Sequence, residues 1–530
     1  MAADFDAVVI GSGFGGAVTA CRLAEAGYRV LVLERGRRWE ASQYPRTAWD
    51  AWIWDNYRPE TKNGWIDLRI FPHMTVAQGA GVGGGSLIYA NISVDAKSDT
   101  FDHGWPQEIT FEELKPHYKC VGQMMNVQRL PEGQWTERTK LMKEAAEKLG
   151  YGDRFQPLDL AVTFDADWKY DLPDPHNERH SRRFTNPQGR EQGTCVHLAN
   201  CDIGCEVGAK NTLDLNYLAQ AENHGADVRP LHLVNTVEPV GDGYRVSFDR
   251  LEDGVRHPGS VIGRLVIVAA GSLGSTELML RCRDEYGTLP NVSGFLGRNW
   301  SSNGDFLTPA FHSGRRVSAT RGPTISAAID FVGDRSIDGH HFFIEDGGFP
   351  DVMGNWLENR AGKVPLRFRH AMLVRSIRYA LRQRDPLSTM MPWFAQARDA
   401  ANGTLRMRKR WRFFGKKRLH LDWDIKESEK TMNAVVDMHK RLAEATEGKP
   451  YVPPTWTCAR DLVTPHPLGG CNMGQSPEDG VVDHTGEVFG YRNLFVIDGA
   501  IIPEALGLNP SKTIAALAER SAGIIVQQGR

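Results

Sequence analysis

Ala7-Val8-Val9-Ile10-Gly11-Ser12-Gly13-Phe14-Gly15-Gly16 is the stretch that decides the fold of this chain. Its first four residues are apolar and mostly β-branched, as in a strand buried on both faces of a parallel sheet. From Ala17 to Ala26 the apolar residues recur at helical spacing, and Gly27 stands where a left-handed residue closes a helix. Arg29-Val30-Leu31-Val32-Leu33 then reads as a second strand ending at Glu34. The whole is a βαβ unit for a dinucleotide. Within the loop that also holds Gly15, Gly11 permits the tight turn and Gly13 lets phosphates approach the backbone. Gly16 lets helix and strand pack closely, and the helix N-terminus faces the pyrophosphate. Glu34, 23 residues after Gly11, is placed to accept the adenosine ribose hydroxyls. A lone GxGxxG is weak evidence; the strand, helix, second strand and terminal acid in register make it strong.

Outward from this unit, the 530 residues exceed one ordinary core and predict two domains. With 41% hydrophobic and 24% charged residues the chain reads as globular, and a net charge of −2 gives no general pull toward nucleic acid or anionic lipid. No basic, apolar leader and no run of about 18 apolar residues is present, so a cytoplasmic location is expected. Eight cysteines are too few for a disulfide scaffold.

The fingerprint alone does not choose between FAD and NAD. Gly79-Ala80-Gly81-Val82-Gly83-Gly84-Gly85-Ser86 has five glycines in its first seven positions, a loop against which a planar ligand can lie. A third apolar strand, Leu265 to Ala270, runs into Gly271 and a helix. Near the C-terminus stand His466-Pro467-Leu468-Gly469-Gly470-Cys471, Asn493 to Gly499, and Gly507-Leu508-Asn509-Pro510. Nucleotide-site segments thus recur near 11, 80, 235, 270 and 498, which implies a discontinuous domain around one extended cofactor.

These motifs, with Leu231-His232-Leu233-Val234, Ala270 to Glu277 and Asn303-Gly304, resemble the glucose–methanol–choline (GMC) oxidoreductase family, and within it the branch of bacterial cholesterol oxidases with noncovalent flavin. The resemblance implies FAD, a two-domain fold and oxidation of an alcohol by hydride transfer from the carbinol carbon to flavin N5. It implies flavin-site roles for Gly81, Gly84, Ser86, Tyr89, Ala90, Asn91, Ile92, Val234, Gly271, Asp498, Gly499, Asn509 and Pro510. Asp498 is read as holding a ribityl or ribose hydroxyl. Its catalytic counterparts here are His466 and Asn509, with Glu345 in Phe342-Phe343-Ile344-Glu345-Asp346 on a looser alignment; Asp346 is the adjacent rival, on the opposite face of a strand. No histidine lies within Gly79 to Asn91, where some members attach flavin covalently, and His73 is upstream, so noncovalent FAD is expected.

The residues support this chemistry. A carboxylate behind Phe342-Phe343-Ile344 sits in an apolar setting that raises its pKa toward neutrality. His466 can orient the substrate hydroxyl or take its proton; which of the two is the base stays open. Pro510 suits the first helical position with Asn509 as N-cap, which would aim a positive helix end at the anionic edge of reduced flavin. One Asn side chain cannot both cap the helix and serve the site.

Two features depart from the resemblance. Cys195, Cys201 and Cys205 have the spacing C-x5-C-x3-C, suited to a three-iron cluster like that of a bacterial FAD-dependent glucose dehydrogenase, or to zinc with His197 as fourth ligand, against the simpler reading of three reduced thiols. A cluster would mean electron export to an acceptor protein rather than to O2. Arg360 to Arg418 is basic, with an amphipathic pattern across Met372 to Arg378, aromatic residues Trp411, Phe413 and Phe414, and a hairpin tip near Gly415; it suits peripheral membrane contact more than nucleic acid.

The expected fold is therefore α/β plus α+β: a discontinuous Rossmann-like FAD-binding domain from 1–45, 70–110, 205–310 and 455–530, and a substrate domain from 46–69, 111–204 and 311–454 on an antiparallel sheet covered by helices. The expected substrate is a sterol or other bulky apolar alcohol. The alternatives are a cluster-bearing dehydrogenase of sugars or small alcohols, a steroid-ketone dehydrogenation or isomerisation in which the same carboxylate moves a proton, and a noncatalytic flavin or lipid carrier.

Overall fold

The computed structural model describes residues 3–47, 49–351, 386–409 and 417–530. Strand Phe5–Ile10 lies inside a seven-stranded sheet, with Val30–Leu33 and then Asp227–Arg229 on one side and Val255–Val268 on the other, all parallel. The last strand has two jobs. Its second half also pairs in parallel with Leu494–Val496, while its first half turns back antiparallel onto Gly243–Glu252, which pairs with His232–Val240.

Period-two alternation sorts this sheet onto two cores. Ala7, Val9, Val30, Val32, Leu265 and Ile267 pack against helices Phe14–Glu25 and Ser511–Gln527. Val8, Ile10, Leu31, Leu33, Val266 and Val268 face the other way, toward Leu273, Met279 and Leu280 of helix Gly271–Asp284. Helix Phe14–Glu25 stops where the sequence reading stops it, with Gly27 at φ +85.

The second layer is a six-stranded antiparallel sheet in the order Lys449–Pro450, Phe306–Phe311, Met390–Ala397, Phe342–Asp346, Ala327–Phe331, Phe155–Pro157. Helix Glu429–Ala445 covers it with Met432, Val435, Val436, Met438 and Leu442. The sequence reading groups 306–310 with the nucleotide segments. The structure instead pairs them with Met390–Ala397, because the chain crosses into the second layer at Asn303-Gly304, both with positive φ. A three-stranded sheet, Leu462–Thr464, Met74–Gly79 and Ile66–Phe71, joins the layers and delivers two loops to the gap between them: the glycine loop after Gly79 and the His466 loop.

Strands Thr404–Lys409 and Lys417–Asp422 form the expected hairpin. Its tip, including Trp411, Phe413 and Phe414, lies outside the described residues, as does the amphipathic stretch from Met372 to Arg378. Among the described residues no helix is long and apolar enough to cross a membrane.

Candidate active site

A cavity of about 2060 Å³ runs between the layers. Its nucleotide end is made of backbone. Gly11, Gly13, Gly15 and Gly84 line it, and the two glycine loops touch: a Cβ on Gly84 would stand 2.7 Å from Gly13 Cα. Gly11 has φ +99 and presses on Ala269, so a side chain is barred there by conformation and by space. A Cβ on Gly15 would lie 1.7 Å from Ile497 O, so this glycine is where the N-terminal helix and the C-terminal strand meet. A Cβ on Gly16 would stand 2.1 Å from Gly11 O and 3.1 Å from Ala269 Cβ, so there is no room for a side chain between this helix and strand. Gly13 differs from all of these. A Cβ there would meet no protein atom within 4 Å although the residue lines the cavity, so the space in front of it is open.

Glu34 lines the same end. Its Oε2 accepts from Ser12 N at 3.1 Å and Ser12 Oγ at 2.6 Å, and its Oε1 from Gly36 N at 2.8 Å, which braces the loop and leaves lone pairs for a ribose. Val234 sits at an irregularity of strand pairing and lines the cavity. Tyr89, Ala90, Ile92, Gly271, Gly499 and Pro510 also line it.

Gly16, Gly81, Ser86 and Asn91 are not on the wall. Gly81 abuts the Trp39 ring, and Ser86 Oγ donates to Gly83 O at 2.7 Å and accepts from Leu213 N. Asn91 is buried at φ +70 between the wall residues Ala90 and Ile92. Asp498 is on the wall, but its carboxylate is engaged by protein: Oδ2 accepts from Gly271 N at 2.8 Å and Ser275 Oγ at 2.5 Å, and Oδ1 from Ala500 N at 2.7 Å. Only one lone pair of Oδ1 is left for a hydroxyl, so the chief effect of Asp498 is to fix the turns at Gly271 and Gly499.

The other end of the cavity is made of side chains. Pro465 and Pro467 flank His466 and restrict its backbone. His466 lines the cavity, and its Nδ1 lies 2.8 Å from Oδ1 of the buried Asp305. Asp305 Oδ2 accepts from Thr464 Oγ1 at 2.5 Å, and Thr464 Oγ1 accepts from His466 N at 2.8 Å. Burial raises the Asp305 pKa, and the His466 ring pulls it back down.

Asn509 lines the cavity with a buried Oδ1 that has no protein partner. The expected cap is not formed. The helix starts at Ser511, Pro510 is its N-cap, and no side chain caps it, so the Asn509 amide is released to the site. Asn303 holds the loop from behind: its Nδ2 donates to Leu508 O at 2.9 Å and its Oδ1 accepts from Gly507 N at 2.9 Å.

Glu345 is fully buried behind this corner rather than on the cavity wall. Its Oε2 accepts from Gln396 Nε2 at 2.9 Å, and Oε1 has no protein partner. Burial pushes its carboxyl up to about 8; the Gln396 amide opposes this, Asp346 and Asp305 add to it, and the Asn509 amide lowers it. The rival Asp346 points the other way. It accepts from Ser326 N, Ser326 Oγ and Ala327 N and pairs at 3.3 Å with Arg138, both side chains fully buried, so it belongs to the frame of the sheet.

Asp305, Asn303 and Gln396 escape the sequence reading. Asn303-Gly304 is visible there as a landmark, with Asp305 next to it, but no local pattern ties Asp305 to a histidine 161 positions away.

The cysteine segment does not form a ligand set. Cys195, Cys201 and Cys205 are free, and burial raises the Cys195 and Cys205 pKa values. His197 stacks on Trp168 at 3.9 Å with Nε2 3.1 Å from Gln134 Oε1. Among the described residues no three His, Cys, Asp or Glu side chains converge as metal ligands.

The donor set fits a flavin dinucleotide: open space at Gly13, an acid at the end of the second strand, and an unpartnered amide oxygen on Asn509. The model of the GMC oxidoreductase family matches residues 370–518, and that of an NAD(P)-binding Rossmann-like domain matches 9–41. A cholesterol oxidase of Acinetobacter baumannii is 33% identical over 98% of this chain and 94% of its own. One from Mycobacterium tuberculosis is 32% identical over 100% and 92%. Paromamine 6'-oxidase of Streptomyces fradiae is 26% identical over 98% and 90%. In structure, the chain superposes on pyridoxine 4-oxidase from Mesorbium loti with a TM-score of 0.61 at 17% identity, covering 98% of each chain, which shows a shared fold.

Proposed function

The chain belongs to the GMC oxidoreductases, FAD-dependent enzymes that act on alcohols, and from that premise we propose that it oxidises a sterol or similarly bulky apolar alcohol with noncovalently held FAD. The observation that carries this reading is the composition of one cavity end. His466 and Asn509 stand there, with Thr324 and Tyr451, as the few polar side chains in a wall of Leu307, Pro309, Phe311, Ile325, Phe349 and Phe394. Such a wall suits a large apolar body with a single hydroxyl.

FAD, when bound, supplies the acceptor for the hydride of the carbinol carbon. Its contacts would come from the Gly11–Gly15 loop, Glu34, Gly84, Tyr89, Ala90, Ile92, Val234, Gly271, Asp498, Gly499, Asn509 and Pro510. His73 bonds Ala459 O and is absent from the cavity wall, which supports a noncovalent site. His466 meets the substrate hydroxyl and takes or guides its proton. The free Oδ1 and amide of Asn509 orient substrate and ring edge, and the positive end of the helix from Ser511 favours negative charge beside Pro510. Glu345 acts through Asn509 from behind the wall, neutral at pH 7.

The mouth of the cavity carries exposed apolar side chains. Ile70 is 71% and Val463 61% exposed, both register-paired with Thr75, and Leu68 and Leu307 lie on the same lip. This supports a substrate drawn from a lipid surface, the peripheral contact first read in the basic segment.

Anaerobic addition of sterols, long-chain alcohols, sugars and short alcohols to the holoprotein, scored by bleaching of the flavin band and then by recolouring in air, tests the reading and reports whether O2 is the acceptor. Bleaching by sterols or other bulky apolar alcohols is expected. Bleaching confined to sugars or short alcohols sinks the substrate class.

A further inference from the structure

Asp305 comes from the crossing between the layers and His466 from the loop after the joining sheet. Their contact is built rather than incidental. The carboxylate is 1% exposed, both its oxygens lie within 3.1 Å of His466 Nδ1, and Thr464 ties it to the histidine a second time through the His466 backbone. The segment is rigid: Gly304 at φ +62 presses on Ala397 O, and the Asn303 amide is held at both ends by Gly507 and Leu508. A carboxylate only accepts hydrogen bonds, so the nitrogen facing it must carry the hydrogen. The cavity-side nitrogen, Nε2, is then the bare one.

Resting on the reading of His466 as the group that meets the substrate hydroxyl, we propose that Asp305 is a positioning residue that holds His466 as the Nδ1–H tautomer and stabilises its cation, so that Nε2 takes the hydroxyl proton. In that step the O–H bond breaks and an Nε2–H bond forms. The electron pair left on oxygen closes the C=O bond while the C–H pair leaves to FAD, so the alcohol is oxidised to a carbonyl and the flavin reduced. The other titratable groups facing the pair are Glu345, from strand Phe342–Asp346, and Asp399, whose carboxylate is bound by Ser301 and Ser302. Asp305 is the one in contact with the ring.

The test compares wild type, D305N, H466A and the double variant as holoproteins, with FAD content measured for each. D305N is expected to slow flavin reduction at saturating alcohol by about 100-fold or more, as when a histidine base loses its orienting carboxylate. In the H466A background D305N is expected to change the rate less than about threefold, because its effect passes through the ring. A second reading needs no turnover: modification of His466 by diethyl pyrocarbonate, located by peptide mass spectrometry, requires the unprotonated ring. Its pH midpoint is expected to move to lower pH in D305N, since loss of the anion destabilises the cation. Multiplying losses in the double variant, or an unmoved midpoint, overturns the proposal and leaves Asp305 a packing residue. If H466A itself bleaches at the wild-type rate, the reading of the site fails instead. Should D305N not retain FAD, D305E carries the same cycle: an intermediate rate whose deficit vanishes beside H466A is expected, and a multiplicative deficit overturns it.

Discussion

The two ends of the cavity are built by opposite means. At the nucleotide end the working groups are backbone, and the decisive residues are glycines that keep side chains away. At the other end the proposed working groups are side chains, His466 and Asn509, the first held by the buried Asp305 and the second on a loop held by the buried Asn303. The first kind of site is written in consecutive residues. The second exists only when the layers close, and its parts have no local meaning. The comparison predicts that damage at the two ends will look different: loss of fold or cofactor at one, loss of rate with cofactor intact at the other.

The largest effect is expected at the nucleotide end, where the N-terminal helix meets the C-terminal strand. Gly15→Ala puts a carbon 1.7 Å from Ile497 O, backbone against backbone. We expect destabilisation above about 4 kcal/mol and no folded holoprotein, checked by thermal melting and flavin content. Next is His466→Ala, for which flavin reduction by alcohol is expected to fall on the order of 100- to 10,000-fold while bound FAD and its spectrum stay as in wild type. Loss of FAD together with rate would erase the contrast between the ends.

Glu345→Gln sharpens it through pH. The folded carboxyl is raised from 4.5 to about 8. The folded state therefore keeps a proton that the unfolded chain releases above 4.5, and this residue's contribution to stability is full below that pH and falls away as pH rises toward 8. The neutral glutamine removes that slope. Chemical denaturation at several pH values should show Glu345→Gln gaining on wild type by on the order of 5 kcal/mol across the window; parallel curves would mean that the carboxyl is not held neutral. The smallest effect is expected from Gly13→Ala, whose Cβ meets no protein atom. The apoprotein should melt as wild type does, while FAD affinity, by titration, falls about tenfold to a hundredfold because the new methyl takes ligand space.

The helix caps illustrate how far local rules reach. Gly27 ends its helix as the glycine rule requires, because a left-handed residue depends only on neighbouring backbone. At Asn509 the same kind of rule places a cap, and the structure does not form it: Asn303 grips the Gly507-Leu508 backbone and turns the Asn509 side chain toward the cavity instead. The cysteine spacing misleads for the same reason. Thiols close in sequence become ligands only if the fold aims them together, and here His197 is drawn into a stack with Trp168.

The sequence by itself determined the βαβ unit, the glycine loops, the discontinuous nucleotide segments and the strand that carries Glu345, because strand alternation, helical spacing and glycine's conformational freedom all act within a few residues. Only the tertiary structure decided that Asp346 faces the sheet frame, that Glu345 is buried behind the wall with its carboxyl raised, and that Asp305 stands against His466. Those outcomes depend on burial and on hydrogen bonds between segments from 20 to 205 positions apart, where desolvation and partner choice are set by the closed fold and leave no periodic trace in the chain.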